Sequence, residues 1–230
     1  MNAPEKGIFK RREKKYLLTR AQCEELQRRL AARMKPDEYG LSTVSSIYYD
    51  TPDLHLLQRS AEKPLYKEKF RLRWYGAPGK IFAEMKKKYE GIVYKRRICL
   101  TPEQLEDFMS GEELPGENLQ IQRELHWMIM RYGLAPAVFI GYERIAYFGI
   151  EDPSLRITFD MNLRYRLTDL TPGAGSAGEP FAKEDLVIME IKFPSSAPLW
   201  LAQLLSEMNI YPGSFSKVGT CLKEKIVKGA

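Results

Sequence analysis

Phe82-Ala83-Glu84-Met85-Lys86-Lys87-Lys88 is the stretch whose reading decides the fold. Successive side chains of a strand point to opposite faces, so Glu84, Lys86 and Lys88 share one face while Ala83 and Met85 point to the other. One acid beside one base is common on a solvated sheet face, where opposite charges two residues apart are comfortable neighbours. The pairing recurs in Glu190-Ile191-Lys192, where Glu190 and Lys192 oppose Met189, Ile191 and Phe193. It is the recurrence that carries weight.

Working outward, the same alternation marks most of the β-rich segments. Lys69, Arg71 and Arg73 oppose Phe70, Leu72 and Trp74; Lys95 and Arg97 oppose Tyr94 and Ile98; Tyr142 and Arg144 oppose Phe139 and Ile145. Arg156, Thr158, Asp160, Asn162 and Arg164 oppose Ile157, Phe159 and Met161, and Arg11, Glu13 and Lys15 share one face near the N-terminus. Strands are predicted over Ile8–Leu18, Val44–Asp50, Lys67–Tyr75, Ile81–Tyr89, Ile92–Leu100, Ala137–Phe148, Leu155–Arg166 and Leu186–Phe193, about eight in all. Gly76-Ala77-Pro78-Gly79 and Glu90-Gly91 are hairpin signals between them.

Helices are predicted between the strands. Thr19 caps one over Arg20–Met34, with Cys23, Leu26, Leu30 and Met34 at helical spacing and Pro36 closing it. A short helix over Leu54–Arg59 follows the turn Asp50-Thr51-Pro52-Asp53. Thr101-Pro102 opens a helix that runs to Ser110 and stops at Gly111; two more span Leu119–Tyr132 and Pro198–Met208. Thr168–Asp185, rich in Gly and Pro, reads as a flexible loop. The order of elements predicts an α+β fold with a largely antiparallel sheet, in a single domain over residues 1–230 with no internal repeat.

Bulk composition narrows the function classes. A charged fraction of 29% with 11% aromatic residues is that of a folded chain, and the formal net charge of +6 makes an anionic partner plausible. The three cysteines, Cys23, Cys99 and Cys221, lack metal-ligand spacing and suggest neither a zinc site nor a disulfide framework. No signal core or long apolar run is present, so a cytoplasmic chain without a membrane segment is expected. Oligomeric state is not legible.

Two architectures give every strand one polar and one apolar face. In the first, an open sheet packs its apolar face on helices and turns its charged face to water. In the second, the sheet closes into a barrel with a polar lumen and helices outside. The residue types favour the second. The polar rows concentrate arginine and lysine, with few acids among them at Glu13, Glu84, Asp160 and Glu190. Two like charges about 4 Å apart repel by roughly 4 kcal/mol at an effective dielectric of 20, so converging rows require a polyanion. The rows therefore read as a phosphate-binding lumen, with Arg11, Lys69, Lys88, Lys95, Arg97 and Arg156 among its phosphate contacts. The interspersed carboxylates suit Mn²⁺ or Mg²⁺, which take carboxylate and phosphate oxygens together.

Taken in order, these residues resemble a known family. Arg11-x-Glu13-x-Lys15-Tyr16, Ser46-Ile47-Tyr48-Tyr49-Asp50-Thr51-Pro52, Lys69-x-Arg71-x-Arg73-x-Tyr75, Glu84-Met85-Lys86, Lys95-x-Arg97, Tyr142-x-Arg144, Arg156-Ile157-Thr158-Phe159-Asp160, Glu190-Ile191-Lys192 and Ser216-Lys217 are similar to the VTC domain. This is the polyphosphate polymerase domain of the vacuolar transporter chaperone proteins, within the triphosphate tunnel metalloenzymes and related to the CYTH phosphohydrolases. The resemblance runs from about Phe9 to Leu222. It implies an eight-stranded antiparallel β-barrel forming a tunnel. It implies catalytic cations at Lys15, Arg71, Arg73, Lys86, Arg144, Lys192 and Lys217, and a metal on Glu190 assisted by Glu84 or Asp160. The activity implied is metal-dependent phosphoryl transfer, with polyphosphate made from the ATP γ-phosphate. ATP, triphosphate or polyphosphate would be the ligand.

Alternatives remain at the level of sequence. An inorganic triphosphatase needs the same cage, and a noncatalytic polyphosphate- or nucleotide-binding module needs its cations. Glu190 could serve only as counter-ion to Lys192, Asp160 could only hold Arg156 or Arg144, and Lys217 by spacing alone is a surface lysine. Nucleic acid is disfavoured, because Phe70, Trp74 and Phe159 lie on the faces opposite the cations. His55 and His126 read as helix residues, and Trp200, Leu201, Leu204 and Leu205 as packing.

Overall fold

The structure is a computed structural model that describes residues 12–62, 64–90, 92–116, 118–194 and 196–223. Its elements in chain order are β1 (Arg12–Thr19), α1 (Arg20–Leu30), β2 (Met34–Pro36), β3 (Ser42–Asp50), α2 (His55–Ala61), β4 (Tyr66–Tyr75), β5 (Ile81–Tyr89), β6 (Ile92–Leu100), α3 (Pro102–Ser110) and α4 (Leu119–Tyr132). There follow β7 (Ala135–Gly149), β8 (Arg156–Arg166), β9 (Glu179–Pro180), β10 (Leu186–Phe193), α5 (Leu199–Glu207), β11 (Pro212–Gly213) and α6 (Lys217–Cys221).

The closed eight-stranded barrel is corrected. The described strands form an antiparallel set of 11, and their hydrogen-bonded order, β11-β1-β10-β8-β7-β3-β4-β5-β6, has two open ends. Strand β6 pairs with β5 and β11 with β1, so the ladder does not return on itself. The three additional strands are β2, β9 and β11, each only two or three residues long and too short to leave a period-two signal.

The described residues divide into two compact units: those within 1–41, 144–161 and 184–215 form the first, and those within 42–143, 162–183 and 216–230 the second. The first has its own apolar cluster. Tyr16 and Leu18 of β1, Ile157 and Phe159 of β8 and Val187, Met189, Ile191 and Phe193 of β10 pack against Leu26 and Leu30 of α1 and Leu201, Leu204 and Leu205 of α5. The cluster of the second unit joins Ile47 of β3, Phe70, Leu72 and Trp74 of β4, Ala83 and Met85 of β5 and Ile98 of β6 to Phe108 of α3 and Leu125 and Met128 of α4. In each unit the alternation read from sequence sends one side of the long strands into apolar packing. The other side keeps its charges.

The helix ends follow local chemistry. Thr19 and Gln22 form a reciprocal capping box at α1, as do Thr101 and Gln104 at α3, and Gly111 and Gly133 close α3 and α4 in the left-handed conformation. Helix α1 stops at Leu30 rather than continuing to Met34, because Met34–Pro36 pairs with Tyr147–Gly149 of β7. Pro36 thus ends a short strand, and Pro136 is tolerated as the second residue of β7. The turn Asp50-Thr51-Pro52-Asp53 has a structural purpose. Asp50 Oδ1 accepts from the Thr51 and Leu56 amides at 2.8 and 2.9 Å, and Oδ2 from the Leu57 amide at 2.8 Å, which tethers the start of α2 to the end of β3.

Candidate functional site

In the second unit, the polar sides of β3, β4, β5 and β6 align in cross-strand rows. Tyr48, Arg71, Glu84 and Arg97 lie opposite one another in turn; Ser46, Arg73, Phe82 and Cys99 form the row on one side of them, and Lys69, Lys86 and Lys95 the row on the other. Lys67 opposite Lys88 adds a further pair. Directly opposed residues have Cβ atoms about 4.5–5.5 Å apart, so the lysine row sets like charges side by side. Glu84 is the acid in the middle of this field, 3% exposed.

Arg71 organises the centre. Its Nε and Nη2 donate to Glu84 Oε2 at 2.8 and 2.6 Å, while Nη1 donates to the Tyr48 hydroxyl at 3.0 Å. Lys95 makes an ion pair with the other oxygen of Glu84. Arg73 donates from Nε to Ser46 Oγ at 3.1 Å and from Nη2 to the Tyr142 hydroxyl at 3.3 Å. Lys217, the first residue of α6, stands with Nζ 4.6 Å from the centroid of the Tyr142 ring, and Ser216 caps α6 by accepting from the Gly219 amide. Arg97 stacks over Phe82 at 5.0 Å.

The charge states follow this geometry. Burial would raise the Glu84 carboxyl, but Arg71, Arg73 and Lys95 pull it down to about 2, so it is ionised across the ordinary pH range. Burial lowers Lys69 to about 8, with Lys67, Lys86 and Arg71 acting in the same direction. Lys95 is lowered by burial despite Glu84. Lys69 and Lys95 thus hold their protons less tightly than a solvated lysine.

The polar face of the first unit is composed differently. Glu13, Lys192 and Arg156 form one cross-strand row; Lys15, Glu190 and Thr158 form the next. Lys15 Nζ lies 2.8 Å from Glu190 Oε1 and 3.7 Å from Glu13, and Lys192 Nζ lies 3.8 Å from Glu190 Oε2. Arg144 grips Asp160 with two parallel bonds of 2.6 and 2.8 Å, and Asp160 is wholly buried. Arg156 approaches Asp37 at 3.8 Å. Burial would lower Lys15, yet Glu190 and Glu13 raise it; Lys192 is lowered by burial and by Arg144, against the pull of Glu190.

The cations and acids expected from sequence therefore fall into two sets. Lys15, Arg144, Lys192, Arg156, Glu190 and Asp160 belong to the first unit; Lys69, Arg71, Arg73, Lys86, Lys88, Lys95, Arg97, Glu84 and Lys217 belong to the second. Arg11 lies outside the described residues. Tyr48, Ser46 and Phe82 join the second set although no role was read for them in the sequence. Their parity along β3 and β5, shared with the row residues, was the available signal.

A divalent cation fits only one mode here. Among the described residues no group of three or more His, Cys, Asp or Glu side chains is placed to hold a metal. Glu84 and Asp160 are each engaged by arginine. Glu190 differs, because its cross-strand neighbour Thr158 is buried with a hydroxyl that has no hydrogen-bond partner. One carboxylate and one hydroxyl match the way Mg²⁺ and similar ions bind, through one or two protein oxygens together with water and substrate phosphates.

The VTC domain family matches residues 10–224. The chain belongs to the VTC domain family. This VTC domain is 28% identical over 171 residues to vacuolar transporter chaperone complex subunit 4 of Schizosaccharomyces pombe, covering 64% of this chain and 23% of that protein. It is 24% identical over 206 residues to the subunit 4 of Trypanosoma brucei brucei, covering 72% of this chain and 26% of that protein. The chain thus spans about a quarter of the length of these relatives.

Among solved structures, an adenylate cyclase candidate from Bacillus halodurans is similar with a TM-score of 0.55 at 14% identity, over 89% of this chain and 92% of that one. A Hippeastrum protein, named as an adenylyl cyclase candidate and reported with a dominant triphosphatase activity, has a TM-score of 0.53 at 16% identity, over 89% and 91%. These likenesses show the fold: an antiparallel, sheet-rich α+β architecture.

Proposed function

We propose that this VTC domain is a metal-dependent phosphotransferase acting on phosphoanhydrides, and that its reaction is polyphosphate synthesis from the γ-phosphate of ATP. The observation that carries the reading is the cationic field of the second unit, where Arg71, Arg73, Lys69, Lys86 and Lys95 stand in cross-strand rows about Glu84. Membership in a family whose relatives are subunits of a vacuolar transporter chaperone complex agrees with it.

Each residue has a task set by its geometry. Arg71 and Arg73 offer planar forks to non-bridging phosphate oxygens, and their second bonds, to Glu84 and Ser46, fix the plane of each guanidinium beforehand. Lys69, Lys86 and Lys95 supply movable point charges along the chain of phosphates. Lys217 adds a cation beside Tyr142. Phosphoryl transfer asks little covalent chemistry of the protein; holding the reacting groups in line and neutralising spread charge supplies most of the rate. Glu190 and Thr158 of the first unit would hold Mn²⁺ or Mg²⁺, an ion that supplies Lewis-acid chemistry. Lys15 and Lys192 orient the Glu190 carboxylate from its two oxygens.

Triphosphate hydrolysis would use the same residues with water as acceptor. Parallel incubations with ATP and with inorganic triphosphate, each with Mn²⁺ or Mg²⁺, separate the readings by whether chains lengthen or phosphate is released. Chain growth with matching ADP supports the polymerase; orthophosphate from triphosphate without growth supports hydrolysis. Neither product from either substrate would remove the enzymatic reading.

A further inference from the structure

The central cation of the phosphate field, Arg71, donates to two side chains, the Glu84 carboxylate and the Tyr48 phenol. Tyr48 is 7% exposed and sits on the polar side of β3, directly opposite Arg71. Its hydroxyl is the acceptor of the Arg71 Nη1 bond at 3.0 Å, and the guanidinium carbon lies 5.7 Å from its ring centroid. The charged and titratable groups around it come from several strands. Lys69, Arg71 and Arg73 face it from β4, Glu84 lies beyond Arg71 on β5, Tyr142 interacts with Arg71 from β7, and Asp50, on β3 itself, is occupied with the start of α2. Arg71 thus contacts this hydroxyl directly, and Arg73 and Lys69 act on it electrostatically.

We propose that Tyr48 stands as a tyrosinate while the phosphate field is empty, and that an incoming phosphoanhydride replaces it as the partner of Arg71, with Tyr48 Oη taking a proton from water. The proposal rests on the phosphate-binding reading above. Its chemistry balances simply: one proton leaves solvent and forms the O–H bond, and one phosphate oxygen takes over the guanidinium N–H. The phenolate acts as a built-in stand-in for phosphate, which lowers the self-repulsion of the empty field and makes ligand binding proton-coupled. Burial opposes ionisation of this hydroxyl, but Arg71, Arg73 and Lys69 bring it down to about 7.

The experiment is an ultraviolet tyrosinate titration of wild type and Tyr48→Phe in the presence of a chelator. Wild type is expected to show one tyrosine ionising near pH 7 that Tyr48→Phe lacks. Tyr16, Tyr49, Tyr66, Tyr132, Tyr147 and Tyr165 are all raised above the ordinary value, so this signal stands apart from theirs. Inorganic triphosphate added at pH 8 is expected to remove that tyrosinate absorbance. Calorimetry in buffers of different ionisation heat should report uptake of about one proton by wild type. Triphosphate affinity should weaken about fivefold between pH 7 and 8 in wild type, against a smaller change in Tyr48→Phe. Absence of a tyrosine titrating near neutrality in wild type would overturn the proposal while leaving the phosphate reading in place. Absorbance unchanged at saturating triphosphate would overturn the displacement. Failure of triphosphate to bind, with the titration intact, would instead overturn the phosphate reading and the displacement with it.

Discussion

The two polar faces of this chain use the same alternation to opposite electrostatic ends. In the first unit the row cations each meet an acid: Lys15 and Lys192 share Glu190, Arg144 holds Asp160, and Arg156 reaches Asp37. In the second unit Arg71 and Lys95 share Glu84, and Lys69, Lys86, Arg73 and Arg97 line up in cross-strand rows about it. A face that neutralises itself gains structure from its charges. Rows of like charge store repulsion that an anion relieves, and on this difference the second unit is the proposed phosphate site.

The largest effect expected from breaking the contrast is at Arg71. Arg71→Ala leaves Glu84 buried with a weakened set of partners, and loss of one member of a buried pair costs about 3–5 kcal/mol. Denaturant unfolding would register this, and triphosphate affinity should fall by about 100-fold. Arg71→Lys keeps the charge but not the fork, so the same assays should show a smaller loss. Full recovery of affinity in Arg71→Lys would refute the bidentate role.

Glu190→Gln probes the self-neutralised face. Turnover should drop by about 10²–10³-fold while triphosphate binding by the second unit persists, a split that steady-state kinetics and calorimetry measure together. Equal losses in both would assign Glu190 to ligand binding instead.

The pH dependence of stability sharpens the comparison further. Glu84 has its folded-state value depressed from 4.5 to about 2, so its contribution is present above pH 4.5 and is lost as pH falls toward 2. Acid unfolding of wild type should therefore steepen across that window. Glu84→Gln should be less stable at neutral pH and lack that part of the acid transition.

The smallest effect is expected at Thr158. Replacing a buried hydroxyl that has no partner by a methyl is close to neutral, within about 0.5 kcal/mol in thermal unfolding. If the hydroxyl assists a cation on Glu190, Thr158→Val should nonetheless raise the Mn²⁺ concentration needed for half-maximal activity.

Much of this was legible because period two is written plainly in long strands. The bounds of β5, β6, α4 and β10 agree with the sequence reading, and the capping signals at Thr19 and Thr101 place α1 and α3. What failed to show was closure. Whether a ladder returns on itself depends on the pairing of its end strands, and neither β6 nor β11 carries that information in its composition. Met34 misled for a related reason: it is buried at helical spacing from Leu30, yet it reaches the core from a strand. At the site, the cations announced themselves by type. Tyr48 and Phe82 did not, because an aromatic side chain in a strand normally signals packing, and only the cross-strand register shows them among arginines.

The most direct test of the central claim is triphosphate binding by calorimetry across ionic strength, for wild type and for Lys69→Ala and Lys192→Ala. The account predicts binding that weakens with salt, is impaired severalfold by Lys69→Ala and is much less affected by Lys192→Ala. Binding indifferent to Lys69→Ala, or abolished by Lys192→Ala alone, would contradict the assignment of the phosphate chain to the second unit.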